Sequence, residues 1–407
     1  MASAVKRLQT VGSTSTRIAE GTHTVPLHLP APNTVISAPG TLERSSFAIV
    51  DGVHSDAPSR SIIRVPSSIS HLGSMYVSCT LAAAGGVYRH YLGVNLIRAY
   101  RVYSGGELIC DVQNARAALK TALRFQPAAV GDGVLEALGG ATATPPGLSV
   151  AIPLLVPWAS LGHREGVEMQ FLPLYRCPNA VLTVEIDWNN SSTTMSVPVA
   201  GTNYLTAATL HCISASFHDS SLVVDGPVNM QLRQYIGVPA YTLGAGGVPA
   251  APWSSQALSA LPLGSSRELS SVHVFHTATA AGFTGGATNT DMHFGTSDLS
   301  LNSMQIDGTA FWSGNGSRAA QILDNVLTCF TGRVTVATDA LEDERAITVP
   351  FSVMPASTAA YTSGLPLAQV RQLDFQLTTT DAVQVEIGGV AAVTIYLTAG
   401  NANFALK

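Results

Sequence analysis

The chain has 407 residues, too many for one ordinary β core and enough for two domains of roughly 200 residues each. Apolar residues make up 46% of it and charged residues only 12%, about half the usual quarter, so little charge is left to cover a solvent-facing surface. The formal net charge is −5 and no basic tract or aromatic-interleaved arginine cluster occurs, which argues against direct sequence-specific binding of nucleic acid.

Lysine occurs only at Lys6, Lys120 and Lys407, and the rest of the 21 basic residues are arginine. The planar guanidinium fork suits interface ion pairs, so this usage points to surface covered by other protein. A high-GC coding bias toward Ala, Gly and Arg would leave the same mark, and composition does not separate the two readings. The five cysteines, Cys79, Cys110, Cys177, Cys212 and Cys329, are scattered and odd in number, which favours free, mostly buried thiols over a disulfide frame or a zinc site.

In chain order, residues 1–24 carry Lys6, Arg7 and Arg17 among Val5, Leu8 and Val11, without the apolar core of a signal peptide. Nowhere do 18 apolar residues run uninterrupted, and the most apolar region, 147–162, is cut by Pro153 and Pro157, so neither classical export nor a membrane span is expected. The stretch YLGVNLIRAYRVYSGGELICDV (91–112) reads as two strand-like runs broken at Ser104-Gly105-Gly106. A helix is predicted just after it, in DVQNARAALKTALRF, from the spacing of Ala115, Leu119 and Leu123.

Residues 128–147 follow, rich in Gly, Ala and Pro and without a period. VLTVEIDW (181–188) then alternates, with Leu182, Val184, Ile186 and Trp188 on a core face and Thr183, Glu185 and Asp187 on a wet one. A second unpatterned stretch, 238–266, reads as a long connection or ordered loop.

Beyond it a helix is predicted in SRAAQILDNVLTCF (317–330) through Ile322, Val326 and Leu327, and strands in GRVTVATD (332–339) and QLDFQLTT (372–379). Near the C-terminus, Val383, Val385 and Ile387 lead through Gly388-Gly389 to Val393, Ile395 and Leu397, which predicts a hairpin with a short turn. One helix following a strand run in each half hints at an internal duplication. The fold class expected is all-β, two tandem β-sandwich or jelly-roll domains with few helices.

The sequence offers no catalytic, cofactor-binding or metal-binding residues. His273 and His276 lie three apart on a strand, hence on opposite faces. The double-barrelled cupin enzymes need a His-x-His pair, which neither half contains, and nucleophile elbow, Walker loop and His-Glu-x-x-His are all missing. The glycines of SGNGSRAA (313–320) lack the Lys-Ser/Thr of a phosphate loop, and Glu342, Asp343 and Glu344 read as a solvated loop.

The order of the pieces carries a resemblance. Gly93, Leu96, Ile97, Gly105, Gly106 and Ile109, followed by the helix, resemble the first barrel of the double jelly-roll major capsid proteins of tailless icosahedral double-stranded DNA viruses: nucleocytoplasmic large DNA viruses, virophages, polinton-like viruses and, more distantly, adenoviruses and tectiviruses. Pro153, Leu154, Leu172, Pro173, Leu174, Val181 and Ile186 are similar to the next block. Arg267, Glu268, Leu269, Val272 and Val274 resemble the opening of the second barrel, and Phe351, Ser352, Pro355, Ser363 and Gly364 follow the family's order further on. LPLAQVR replaces the family's Asn-Phe-Ser-Arg stretch after Gly364, and the aromatic residues of the first barrel's apolar strand are mostly missing.

The resemblance implies two eight-stranded jelly rolls per chain, divided as an N-terminal arm (1–24), first roll (25–222), connection (223–266) and second roll (267–407). It implies a homotrimer of six-cornered outline that tiles a virion shell, with no enzymatic step. The implied partners are further capsomers, minor capsid, cement and penton proteins, and an internal membrane touched by the arm, for which a merely disordered terminus is the other reading. The stretches 128–147 and 238–266 would lie at barrel ends, as outward towers or contacts between trimers. Two other functions stand beside it: a minor capsid or spike protein of the same fold, and a tandem β-sandwich that binds carbohydrate. The latter usually offers an exposed aromatic platform, whereas Trp158, Trp188, Trp253 and Trp312 are dispersed.

Overall fold

The computed structural model describes residues 40–50, 59–66, 69, 71–82, 87–88, 91–125, 128–140, 146–159, 171–174, 181–189, 195–197, 204–217, 228–243, 253–254, 268–278, 299–313, 347–352, 364–370, 372–379, 383–397 and 405–406. The first half runs through β1 (Gly40–Ile49), β2 (Ser59–Val65), β3 (His71–Leu81), β4 (Val87–Tyr88), a helical turn α1 (Gly93–Leu96), β5 (Ile97–Ser104) and β6 (Glu107–Val112). It continues through helices α2 (Ala115–Arg124) and α3 (Ala128–Ala137) to β7 (Ser149–Leu154), β8 (Leu172–Pro173), β9 (Leu182–Trp188), β10 (Met195–Val197) and β11 (Leu205–Phe217). The second half holds β12 (Val228–Leu243), β13 (Trp253–Ser254), β14 (Glu268–Ala278), β15 (Leu299–Ile306) and β16 (Thr309–Ser313). It ends with β17 (Ile347–Pro350), β18 (Leu365–Pro366), β19 (Gln372–Thr379), β20 (Val383–Leu397) and β21 (Ala405–Leu406).

Each half is built on a pair of antiparallel sheets, with a small two-stranded sheet, β4–β10, added in the first. The first half orders its strands β1-β11-β3-β7 and β2-β9-β5-β6, and the second β12-β20-β14-β17 and β13-β19-β15-β16. Strand for strand the two orders are the same permutation, in which the long closing strand of each half, β11 or β20, returns to lie beside the first, β1 or β12, the wrapping that makes a jelly roll. The predicted duplication is therefore a duplication of topology.

Period-two burial fills each sandwich. Val77, Ile152 and Leu210 from one sheet of the first half share a core with Val102, Val184 and Trp188 from the other. In the second half Leu269, Val272 and Ile387 meet Met304, Leu373 and Phe375. The faces predicted for β9 and β19 are observed, with Leu182, Val184, Ile186, Trp188, Leu373, Phe375 and Leu377 all buried. The β5–β6 hairpin turns at Gly105 (φ 57°) and Gly106 (φ 92°), left-handed conformations that a two-residue turn of matching twist requires. Cys79, Cys110 and Cys212 are buried thiols outside any disulfide.

Four sequence expectations are corrected. The C-terminal hairpin is one continuous strand, β20, passing through Gly388-Gly389. Residues 128–137, expected as loop, form α3: Gly131, Val134, Leu135 and Leu138 make an inward stripe, disguised because glycine is a poor helix former. Residues 228–243, assigned to the connection, form β12, whose period is hidden because Gln234 to Val238 are buried on both faces. Residues 93–96, expected in a strand-like run, form α1, where a Cβ on Gly93 would lie 2.8 Å from Leu138. The arm, the helix at 317–330, the strand at 332–339, Glu342–Glu344, Cys177 and Cys329 lie outside the described residues. Among the described residues no helix is long and apolar enough to cross a membrane.

Candidate functional site, the joint between the barrels

Helix α2 sits between the two rolls and is buried from Ala117 to Arg124. Its sequence serves both sides at once. Ala118, Leu119, Ala122 and Leu123 join the core of the first roll. Arg116, Lys120 and Arg124, spaced four apart and so on one helical face, turn toward the second.

Asn114 starts the helix and ties it down. Its Oδ1 accepts from the Ala117 N–H at 3.1 Å, the usual N-cap bond. Its Nδ2 donates to the Val238 carbonyl at 3.1 Å, and its backbone N–H donates to the Gly237 carbonyl at 3.1 Å, so the cap is also a link to β12.

The surface that receives α2 is the outer face of the β12-β20-β14 sheet, made bare by two glycines. Gly237 and Gly388 are register partners across β12 and β20. A Cβ on Gly237 would lie 1.9 Å from the Asn114 carbonyl oxygen, and one on Gly388 would lie 2.0 Å from Thr121 Oγ1 and 2.9 Å from the Ala117 oxygen. Glycine in this strand is required by the approach of a helix backbone, which is why Gly388-Gly389 makes no turn.

Beside the glycines lies a buried charge cluster. Lys120 Nζ donates to Glu386 Oε2 at 3.0 Å, both side chains being 0% exposed, and Arg116 pairs with Glu386 Oε1. Burial alone would raise the Glu386 carboxyl, but the charges and hydrogen bonds of Arg116 and Lys120 outweigh it and bring the group down to about 2.

Next to this, His273 bonds to Ser271 Oγ through Nε2 (3.0 Å) and to Thr348 Oγ1 through Nδ1 (2.9 Å), with the Phe125 ring edge-on at 5.2 Å. Burial, and secondarily the charge of Arg124, depress its pKa well below the ordinary histidine value and keep it neutral. Lys120 and Arg124 also stand over the Phe275 ring, at 5.9 and 6.0 Å. The arrangement can hold two barrels in one fixed orientation, and its groups are engaged with one another.

A second polar cluster covers the outer face of β2-β9-β5-β6, where Asp187 receives Arg60 at 2.7 Å, Arg101 at 3.2 Å and Arg98 at 3.4 Å. Burial pushes Asp187 up, and the hydrogen bond and charge of Arg60 with the charges of Arg101 and Arg98 bring it below the usual carboxylate range. The wet face expected for β9 is thus wet at its arginine heads and closed at its carboxylate.

Sequence reasoning found α2 and its apolar stripe but missed the joint. The signal present was the i, i+4, i+8 row of cations on a short helix, one of them a rare lysine. His273 is buried within β14, and the side chain of His276 lies outside the described residues. Among the described residues no three His, Cys, Asp or Glu side chains come together as a metal site would need.

Two jelly rolls of the same strand order, packed side by side through a helix, define a double jelly roll, the fold of capsid proteins of that type. No protein-family model matches the chain, and no curated protein is similar to it in sequence. Solved structures are similar along nearly the whole chain. The VP54 protein of PBCV-1, fitted into a reconstruction of the virophage Sputnik, superposes with a TM-score of 0.62 at 10% identity, over 92% of this chain and 99% of that one. The major capsid protein of Faustovirus gives 0.55 at 9% identity over 89% and 91%. A chain of the Sputnik virophage particle gives 0.50 at 12% identity over 96% and 93%.

Proposed function

We propose that this chain is the structural major capsid protein of an icosahedral virus particle, located in the virion shell and acting through geometry rather than catalysis. One observation carries the reading: the chain, with both its rolls, is similar in fold over about nine-tenths of its length to solved capsid-particle proteins that are themselves covered almost completely, although only about a tenth of residues are shared. Three copies would form a ring of six barrels, the near-hexagonal unit that tiles an icosahedral face. Its partners would be further copies of itself, neighbouring capsomers, and minor, cement and penton proteins, with the N-terminal arm (1–24) at the inner base against a neighbour or a lipid layer. Along the chain we place the first roll in 25–222 and begin the second with β12 rather than after residue 266.

Light scattering on the purified protein tests this. The expected species has about three times the 42.3 kDa chain mass and persists on dilution. A chain that stays single when concentrated, and binds a glycan array, would replace this reading with the carbohydrate-binding one.

A further inference from the structure

The outer face of β2-β9-β5-β6 carries more arginine than the fold asks for. In the register, Arg60, Ile62 and Arg64 of β2 lie across from Asp187, Glu185 and Thr183 of β9, and Glu185 and Thr183 lie across from Arg101 and Tyr103 of β5. Arg98 reaches Asp187 from the start of β5. The topologically equivalent face of the second roll is built from Gln372, Asp374 and Gln376 on β19 with Ser303 and Gln305 on β15, and none of these is a cation. A jelly roll of this strand order therefore closes without a plate of arginines.

The two signs of charge lie at different depths. Asp187 and Asp111 are 5% and 7% exposed, whereas Arg60 and Arg98 are 51% and 57% exposed. Arg60 engages Asp187 through Nε and Nη2, at 2.7 and 3.5 Å, and a guanidinium has further N–H groups for an acceptor arriving from outside. Arg64 lies across from Thr183 and not from a carboxylate. The carboxylates are a floor that fixes planar forks with their outer edges toward solvent. Forks held in this way bind a second carboxylate with little further loss of side-chain freedom.

Charge and shape favour a polypeptide over a polyanion. Arg60, Arg64, Arg98 and Arg101 against Asp111, Glu185 and Asp187 leave one net positive charge on the face, too little for the counterion release that drives binding of nucleic acid or sulfated glycan. In the middle of the arginines Ile62 is 61% exposed, and Tyr103 donates to Glu185 Oε2 at 3.4 Å. Arginine and tyrosine beside an exposed aliphatic residue, without lysine, is the composition of a protein-binding patch.

The row along β2 sets the pattern of the occupant. It reads cation, apolar, cation at every second residue, with Arg60 and Arg64 about 13 Å apart. An extended chain that reads acidic, apolar, acidic at the same period is its complement.

We infer that the outer face of β2-β9-β5-β6 docks an extended protein segment, laid along β2, in which two carboxylates at alternate outward positions flank an apolar side chain. The carboxylates meet Arg60 and Arg64, and the apolar residue covers Ile62. The inference goes beyond the capsid reading and is carried by this face alone, so each stands or falls separately.

The probe is an end-blocked fluorescent peptide in which Glu-Thr-Val-Thr-Glu repeats, titrated with the protein at physiological salt and read by anisotropy. The unaltered protein is expected to bind it, and Arg64→Ser and Ile62→Ser are each expected to weaken binding by roughly tenfold. Arg64 and Ile62 are both exposed, so neither change removes a core contact. Arg44→Ser, on β1 of the opposite sheet, is expected to leave binding unchanged.

No binding by the unaltered protein, or equal binding by all three variants, overturns the inference. A heparin fragment that binds more tightly than the peptide, with Ile62→Ser without effect, overturns it in favour of a face for polyanions. The mass of the protein in solution, which tests the capsid reading, does not enter this result.

Discussion

Gly237 and Gly388 are where the joint is least tolerant of change. Adding a methyl group puts atoms inside contact distance of Asn114 and Thr121, and overpacking of that kind costs about 1–3 kcal/mol, more where backbone must move. Gly237→Ala, which meets a backbone oxygen, is expected to cost more than Gly388→Ala, whose nearest obstacle is a side chain. Gly106→Ala, with open space around it and only a positive φ to strain it, should cost about 1–2 kcal/mol. Urea midpoints of the three variants check the order.

Acid sensitivity belongs to the same scale. His273 has a depressed pKa in the fold, so its contribution is complete above the unfolded value of 6.5 and is lost as pH falls below it. Glu386, at about 2 folded against 4.5 as a model group, contributes fully above 4.5 and loses its part as pH falls toward 2. Both act in the same direction, so the melting temperature should decline with acid in two stages, the first removed by His273→Gln. A melting temperature that rises between neutral pH and mild acid would contradict the assignment. Glu386→Gln leaves Lys120 and Arg116 buried without their carboxylate and should cost about 3–5 kcal/mol at neutral pH.

Helix α2 is the element that decides the architecture. Asn114 both caps it and bonds across the joint, so two substitutions separate the roles. Asn114→Ser keeps a capping hydroxyl and loses the amide bond to Val238; Asn114→Ala loses both and should cost about 1 kcal/mol more. Equal stability of the two in denaturant titrations would mean that the cap contributes nothing.

What was legible in the sequence divides along the same line. β9, β19, the β5–β6 hairpin and α2 were readable because one face of each is core, or because a turn needs glycines at φ above zero. β12, α3 and the run through Gly388-Gly389 were not, because periodicity requires a contrast between faces. Between residues 234 and 238 both faces are buried, and at Gly388 the missing side chain reports a helix approaching from elsewhere in the chain. The buried pairing of Lys120 with Glu386, 266 positions apart, left no local signal at all.

At the scale of the molecule, the two rolls form one body. α2 belongs to the core of the first and is bonded to the second, so neither roll can open without exposing the helix's buried charges. Calorimetry should therefore give a single main unfolding transition, and Glu386→Gln should split it in two. Two resolved transitions in the unaltered protein would mean that the joint does not couple the rolls.

Cryo-electron microscopy of the purified oligomer tests the central claim most directly, since it images the arrangement of barrels rather than inferring it from mass. A closed ring of six barrels from three chains is the result predicted by the proposed capsid reading. Particles in which the two rolls of a chain stand apart, or in which no ring closes, would contradict the proposed reading.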